Sequence, residues 1–386
     1  MTPSGLIYLD HAATSFPKPE IVYQAVDKAL REECGNPGRS NHRLALSATR
    51  VAEEARMLCA RLFHAASPDS IVFTNNTTTA LNMAIQGAVS PGDHVITGSL
   101  EHNSVTRPLK YLEQKGIEIT KIPTDLKIGL SPKAIEQAIQ NNTKLVVCTH
   151  VSNVTGTVND IAAIGDFCRS KDILFLVDGA QAAGMRPIDV QEMKIDLFAF
   201  PGHKGLLSPQ GTGGLYIRPG LEIAPILQGG TGSASASLEQ PHASPRRYES
   251  GTLNIPGLAG MAAGIRYLLD VGISSVAKHE KELTTHLLQG IARIPGITLM
   301  GPDETVERGN VVSIRFDRIS VAEAALMMDA AFSIAVRGGL HCSADAHRTI
   351  GTLENGGTLR ISSGYLNTMD EIEQCLEALA ICAKGM

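Results

Sequence analysis

The chain is 386 residues long, more than a single hydrophobic core usually serves, so two or three packed units are expected. Hydrophobic residues make up 43% and charged residues 19%, a balance that buries enough apolar surface to offset chain entropy and excludes an unfolded chain. The net charge of −5, from 34 basic and 39 acidic residues, leaves no basic footprint for nucleic acid or for an anionic membrane.

The first residues, Met1 to Asp10, show no basic segment followed by an apolar run, and no stretch is long and apolar enough to span a bilayer. The seven cysteines, at positions 34, 59, 148, 168, 342, 375 and 382, are odd in number and too widely spaced for a zinc cluster or a fully paired disulfide framework. A soluble protein of the reducing cytoplasm is the expectation.

In chain order, Ser47–Phe63 reads as a helix, with Val51, Ala55, Leu58 and Leu62 on one face and Cys59 beside them as a small core residue. Seven short apolar runs follow as strands: Ile71–Phe73, His94–Thr97, Ile117–Ile122, Leu145–Thr149, Ile173–Val177, Leu197–Phe200 and Gly213–Ile217. Several are continuously apolar, as strands of a buried, largely parallel sheet should be. From Gln228 to Pro256 the chain is rich in Gly, Ser, Ala and Pro and reads as one long loop. Beyond it come a helix at Gly257–Leu269, strands at Val311–Phe316 and Thr358–Ser362, and a last helix at Asp370–Ala383. The pattern is that of an α/β protein with a smaller α+β C-terminal domain.

Three features carry chemistry. Asp178 ends the run Ile173 to Val177, at the sheet edge where open α/β folds bind ligands. Lys204 ends another buried run in Phe200-Pro-Gly-His-Lys-Gly205; desolvation lowers an ammonium's pKa and makes the amine a nucleophile. Thr77 and Thr78 open a helix directly after a strand, where free N–H groups and hydroxyls form a phosphate cup. Taken singly, Lys204 reads equally as a snorkelling strand-end lysine and Thr77 as an ordinary N-cap. Together they point to a cofactor with a phosphate, a protonatable ring nitrogen and an aldehyde, which describes pyridoxal 5′-phosphate.

The order of motifs resembles the class V branch of the fold-type I pyridoxal-phosphate enzymes, and within it the Suf-like group of cysteine desulfurases. The resemblance rests on Tyr8-Leu-Asp-His11-Ala-Ala-Thr, Thr77-Thr78, Glu101-His102, Val151-Ser-Asn153-Val-Thr-Gly156, Val177-Asp178-Gly-Ala-Gln181, Gly202-His203-Lys204, Glu249-Ser-Gly-Thr252, Arg337-Gly-Gly-Leu-His341-Cys342 and Arg360-Ile-Ser. It implies a large domain over residues 14–256, built on a mainly parallel seven-stranded sheet, and a small domain over 1–13 and 257–386. It further implies that Lys204 holds the cofactor covalently, that Asp178 pairs with its ring nitrogen, and that His102 stacks on the ring. Asn153 and Gln181 would lie near the ring hydroxyl, with Asn153 also reaching the substrate carboxylate. Thr77, Thr78 and His203 would hold the phosphate, and Thr252 the phosphate of a neighbouring subunit in a homodimer. Arg360 would clamp the substrate carboxylate, a task for which a guanidinium fork suits better than an ammonium.

Cys342 names the expected reaction. It sits in a polar, glycine-rich stretch unlike the apolar settings of Cys148, Cys375 and Cys382, with Arg337 and His341 near enough in sequence to stabilise a thiolate. The implied activity is conversion of L-cysteine to L-alanine, with sulfur passing to Cys342 as a persulfide, His102 carrying a proton, and a sulfur-acceptor protein in iron–sulfur cluster assembly downstream. Selenocysteine lyase, or another class V aminotransferase or C–S lyase in which Cys342 is incidental, remains an alternative. So does a cofactor-binding scaffold without turnover. A metal site of His341, Cys342 and His347 is short of ligands. Four departures from the pattern stand out: Pro201 replaces a frequent Ser, His11 an Asn, Asn75-Asn76 an Arg-Gly, and Leu340 a His.

Overall fold

The structure, a computed structural model, describes residues 5–38, 40–233 and 236–385; positions 1–4 of the expected small domain, and 234–235 of the long loop, lie outside the described residues. All seven strands read from the sequence join one sheet. Its order is Ile71–Thr74, Gly213–Ile217, Leu197–Pro201, Leu174–Asp178, Thr143–Thr149, His94–Gly98 and Glu118–Ile122. Gly213–Ile217 runs antiparallel to both of its neighbours, and the other pairings of the sheet are parallel. The central strands are buried on both faces, which is why they read as unbroken apolar runs, whereas the edge strand Glu118–Ile122 carries charged residues at its exposed positions.

One face of this sheet is packed by the helices Arg43–Leu62 and Ile255–Val271. Phe63 stands between them and the strands, with ring centroids 5.1 Å from Phe198 and 4.8 Å from Phe200. Gly179 follows Asp178 where a Cβ would run into the Phe198 ring, so the turn after the strand stays flat against the core only with glycine. Between Ile217 and Ile255 no helix or strand occurs among the described residues, as the composition of that stretch led us to expect.

A second sheet has the antiparallel order Arg337–Gly339, Thr358–Ser362, Val311–Phe316 and Ile297–Leu299. The helices Ile273–Ile291, Val321–Phe332 and Met369–Lys384 supply the apolar side chains of its core. The last two begin with reciprocal capping boxes, Ser320 with Glu323 and Thr368 with Glu371. The N-terminal strand Ile7–Tyr8 pairs with Ile334–Ala335, and Ile7 and Leu9 enter this second core. The helix Ile255–Val271 packs instead in the core of the large sheet.

The parallel topology delivers the chain repeatedly to one sheet edge. Thr77, His102, Asn153, Asp178 and Lys204 each lie within a few residues of a strand's carboxyl end, where crossover loops leave a crevice. Because Phe198 is fully buried among aromatic neighbours, Phe198→Ala should lower stability by about 3–5 kcal/mol, read as a shift in the urea midpoint.

Candidate active site

A pocket of about 220 Å³ opens at this edge, lined by Thr77, Thr78, His102, Asn153, Asp178, Gln181, His203, Lys204 and Arg360. Nine of the residues named from the sequence are therefore brought together. The other two are not in its wall. Cys342 lines an adjoining cleft that shares Thr78 and His102 with the pocket. Thr252 is exposed on the long loop and faces a separate small cavity beside Thr79 and Tyr248.

The helix Thr77–Ala88 explains the phosphate cup. Its N-cap, Asn76, is extended and its side-chain oxygen accepts from the Thr79 N–H at 2.9 Å. Among the described residues, no hydrogen bond engages the N–H groups or hydroxyls of Thr77 and Thr78, at the positive end of the helix dipole. The close approach of the neighbouring strand requires glycine: a Cβ on Gly213 would lie 2.9 Å from the Asn76 backbone.

Asp178 is 2% exposed, accepts from the Ala180 N–H at 3.0 Å, and has its carboxyl pKa raised by burial. Glu101 lies buried behind it. Its Oε1 accepts from the Thr149 N–H at 3.1 Å while Oε2 has no partner, and burial raises this carboxyl well above the usual range. Desolvation, reinforced by the guanidinium of Arg360, pushes the Lys204 ammonium down to about 8, against the opposing pull of Asp178. Gln181 donates to the Ala12 carbonyl at 2.9 Å and leaves its buried Oε1 unpaired.

His102 is the N-cap of the helix Asn103–Glu113. Its Nδ1 accepts from the Ser104 N–H at 3.1 Å, which places the proton of the neutral ring on Nε2. Burial, and then the positive charges of Lys204, Arg337, Arg360 and Arg107, push its pKa down to about 4. His203 Nδ1 meets the Thr14 hydroxyl at 3.1 Å, tying the N-terminal segment to the lysine loop.

Arg360 is 1% exposed. One Nη donates to Asp10 at 2.8 Å and the other to the Asn153 carbonyl at 3.2 Å, while Nε is buried without a partner. The fork is held in place with donors to spare, which is what a carboxylate clamp requires. Asp10 was quoted in the sequence motif without a role; it is the counter-ion that orients Arg360.

Cys342 is exposed, and it and His341 have φ of 57° and 47°. Two consecutive non-glycine residues in the left-handed region cost about 1–3 kcal/mol each, so the turn must be held from outside. It is. The Asn103 N–H donates to the Cys342 carbonyl at 2.8 Å, and Asn153 donates to the His341 carbonyl at 2.7 Å while accepting from the Ser343 hydroxyl at 2.8 Å. The two residues expected beside the sulfur separate here. Arg337 reaches it, with Nη2 3.6 Å from Sγ. His341 does not: its ring is buried with Nε2 3.0 Å from the Thr358 carbonyl, and burial pushes its pKa down to about 2, so it supplies no positive charge. Ser104, Ser343 and Asp10 are the supporting residues that sequence reasoning left out. Proximity to His102 and Cys342 was the one available signal for the two serines.

The loop bearing Thr252 is anchored by a buried two-pronged pair, Arg56 to Glu249, with both N–O distances 2.8 Å; Glu249 also accepts from the Phe73 N–H at 2.6 Å. Removing the cation leaves an uncompensated buried carboxylate. Arg56→Met should therefore cost about 3–5 kcal/mol in urea unfolding, and Arg56→Met combined with Glu249→Gln should cost less than Arg56→Met alone.

Comparison with known proteins agrees with this geometry. The chain is 36% identical over 379 residues to a probable cysteine desulfurase of Methanothermobacter thermautotrophicus, covering 97% of this chain and 94% of that protein. It is 31% identical to a cysteine desulfurase of Salmonella dublin, over 97% of this chain and 92% of the relative. Among solved structures, the apo cysteine desulfurase of Thermococcus onnurineus superposes with a TM-score of 0.91 at 31% identity, covering 99% of this chain and 95% of that one. The cysteine desulfurase CsdA of Escherichia coli gives 0.87 at 29% identity, over 99% and 96% of the two chains. The family model for class-V aminotransferases matches residues 7–375, and the chain belongs to that family.

Proposed function

We propose that the chain is a pyridoxal 5′-phosphate-dependent cysteine desulfurase that converts L-cysteine to L-alanine and receives the sulfur on Cys342. The observation that carries this reading is a site in which a desolvated lysine, a buried aspartate and a buried arginine face one pocket, with an exposed cysteine in the adjoining cleft. The residues fit the cofactor. Unused donors of Thr77 and Thr78 suit its phosphate, Asp178 makes no ion pair among the described residues, and the unpaired Oε1 of Gln181 and Nε of Arg360 await polar partners.

When bound, pyridoxal 5′-phosphate supplies an aldehyde for amine capture and an electron-withdrawing ring that acidifies the substrate Cα. Around it, Asp178 would hold a proton at the ring nitrogen, and His102 would cover the ring face, with its Nε2 proton directed away from Ser104. Arg360 fixes the substrate carboxylate, and Asn153 positions both Arg360 and the Cys342 turn. Lys204, its amine free above about pH 8, removes and returns the proton at Cα. The Cys342 sulfur attacks the substrate sulfur. An S–S bond forms as the C–S bond breaks, and the electron pair left on carbon is protonated, so that L-cysteine and one thiol yield L-alanine and one persulfide.

The finer features of the reading are a homodimer in which Thr252 reaches the partner's phosphate cup, a cytoplasmic location, and an acceptor that removes the sulfur. The exposure of Thr252 outside the pocket of its own chain supports the first. No helix among the described residues is long and apolar enough to cross a membrane. Selenocysteine would fit the same constellation, and the ratio of kcat/KM for the two amino acids distinguishes the activities.

Two measurements test the proposal. Cys342→Ser should keep the yellow colour of the loaded protein and lose sulfide release from L-cysteine in the presence of a reductant; undiminished sulfide release would overturn the role of Cys342. Reloading of the apoprotein with pyridoxal 5′-phosphate should quicken as pH rises towards about 8 and level off above it, since burial lowers the Lys204 pKa and the neutral amine is the reacting form. A rate that continues to climb to the pH of an ordinary lysine would remove Lys204 from this role.

A further inference from the structure

A second cavity, of about 350 Å³, lies between the two sheet units, and Gln181 lines both it and the lysine pocket. Its walls come from Met185 and Arg186 after the Asp178 strand, from the helix Ile273–Ile291, and from the segment 304–310. Glu280, on that helix, is 6% exposed and its carboxyl makes no hydrogen bond or ion pair among the described residues. The one charge that acts strongly on it is the guanidinium of Arg186. Arg186 in turn contacts the Arg308 carbonyl at 3.4 Å and pairs with Glu307, whose side chain is 70% exposed and so easily released to water. A buried carboxyl and a guanidinium thus share one cavity without closing on each other. Burial raises the Glu280 carboxyl to about 8, the expected consequence of leaving it without a donor.

We propose that this cavity binds a free aliphatic α-amino acid, its ammonium on Glu280 and its carboxylate on Arg186. The pairing follows from donor and acceptor counting. An ammonium donates N–H bonds and has no acceptor, with three donors when primary and two when secondary, as in proline. Glu280 offers two oxygens, enough for both donors of a secondary ammonium, and Asn310, whose amide N–H goes to the Ser363 carbonyl at 2.6 Å, lines the same cavity. A carboxylate accepts only, and the Arg186 fork matches it in two-pronged geometry. Met185 and Leu288 line the cavity and provide an apolar surface for a side chain. The site is separate from the lysine pocket and does not depend on the reaction proposed there.

The test is calorimetric titration of the cofactor-loaded protein with L-proline, whose secondary ammonium does not condense stably with an aldehyde. Saturable binding is expected. Glu280→Gln and Arg186→Met should each weaken it by about tenfold or more, the loss of one charge-assisted hydrogen bond. Ala277→Phe, whose ring would occupy the cavity that Ala277 lines, should abolish it, and Arg360→Met in the lysine pocket should leave it unchanged. Circular dichroism of each variant separates lost binding from lost folding. Absence of saturable heat, or heat that disappears in Arg360→Met but survives Glu280→Gln and Ala277→Phe, overturns the assignment. Neither result bears on Cys342, because Glu280 and Ala277 are absent from the lysine pocket.

Discussion

Desolvation of charge at one edge of a parallel sheet is the constraint around which the molecule is organised. Asp178 and Arg360 are almost wholly removed from water, and Lys204 keeps only the exposure that the pocket allows. Groups of this kind are costly to bury unless each is paired or held for a ligand. Pairing is partial here. Asp10 neutralises Arg360, a backbone N–H serves Asp178, and several polar atoms stay without partners. The same low-polarity surroundings that penalise these groups shift their protonation towards useful states: a neutral His102, a Lys204 amine accessible near neutrality, and a Glu101 whose charge is suppressed behind Asp178.

The site belongs to neither core alone. Lys204, Asp178 and the phosphate cup come from the large sheet, whereas Arg360, Arg337 and Cys342 come from the small one, and the N-terminal segment crosses between them. Asn153 is the fastening. Its amide bonds the His341 carbonyl and the Ser343 hydroxyl while its own carbonyl receives Arg360, so one side chain and one peptide group fix the mouth of the pocket relative to its floor. A small rotation between the sheets would alter the distance from Cys342 to the lysine, which makes the seam between the units a place where binding elsewhere can be felt.

Much of this was legible in the sequence. The seven strands were readable because buried parallel strands leave continuous apolar runs, and their edges shifted by at most two residues. Most of the pocket's residues were readable because they lie at or just past a strand end, whereas Arg360 sits inside the strand Thr358–Ser362 and Thr252 on the long loop, and both were named by the resemblance. What escaped reading depended on distance in space. Nothing in the local sequence of Asp10 announces that it meets Arg360, 350 positions away. The short pairing of Ile7–Tyr8 with Ile334–Ala335 is equally silent in a two-residue run. His341 misled for the same reason: adjacency to Cys342 placed it near the sulfur on paper, but the left-handed turn at both residues sends the imidazole inward to Thr358 and leaves the thiol outside.

The seven cysteines divide on the same principle. Cys59, Cys148, Cys168, Cys375 and Cys382 are buried, and burial raises the pKa of every one of these thiols, so they are poor nucleophiles at neutral pH. Only Cys34 and Cys342 face solvent. A protein that generates reactive sulfur runs the hazard of sulfurating itself, and here the packing of the two cores acts as insulation: the five buried thiols are kept from competing for the mobile sulfur on Cys342.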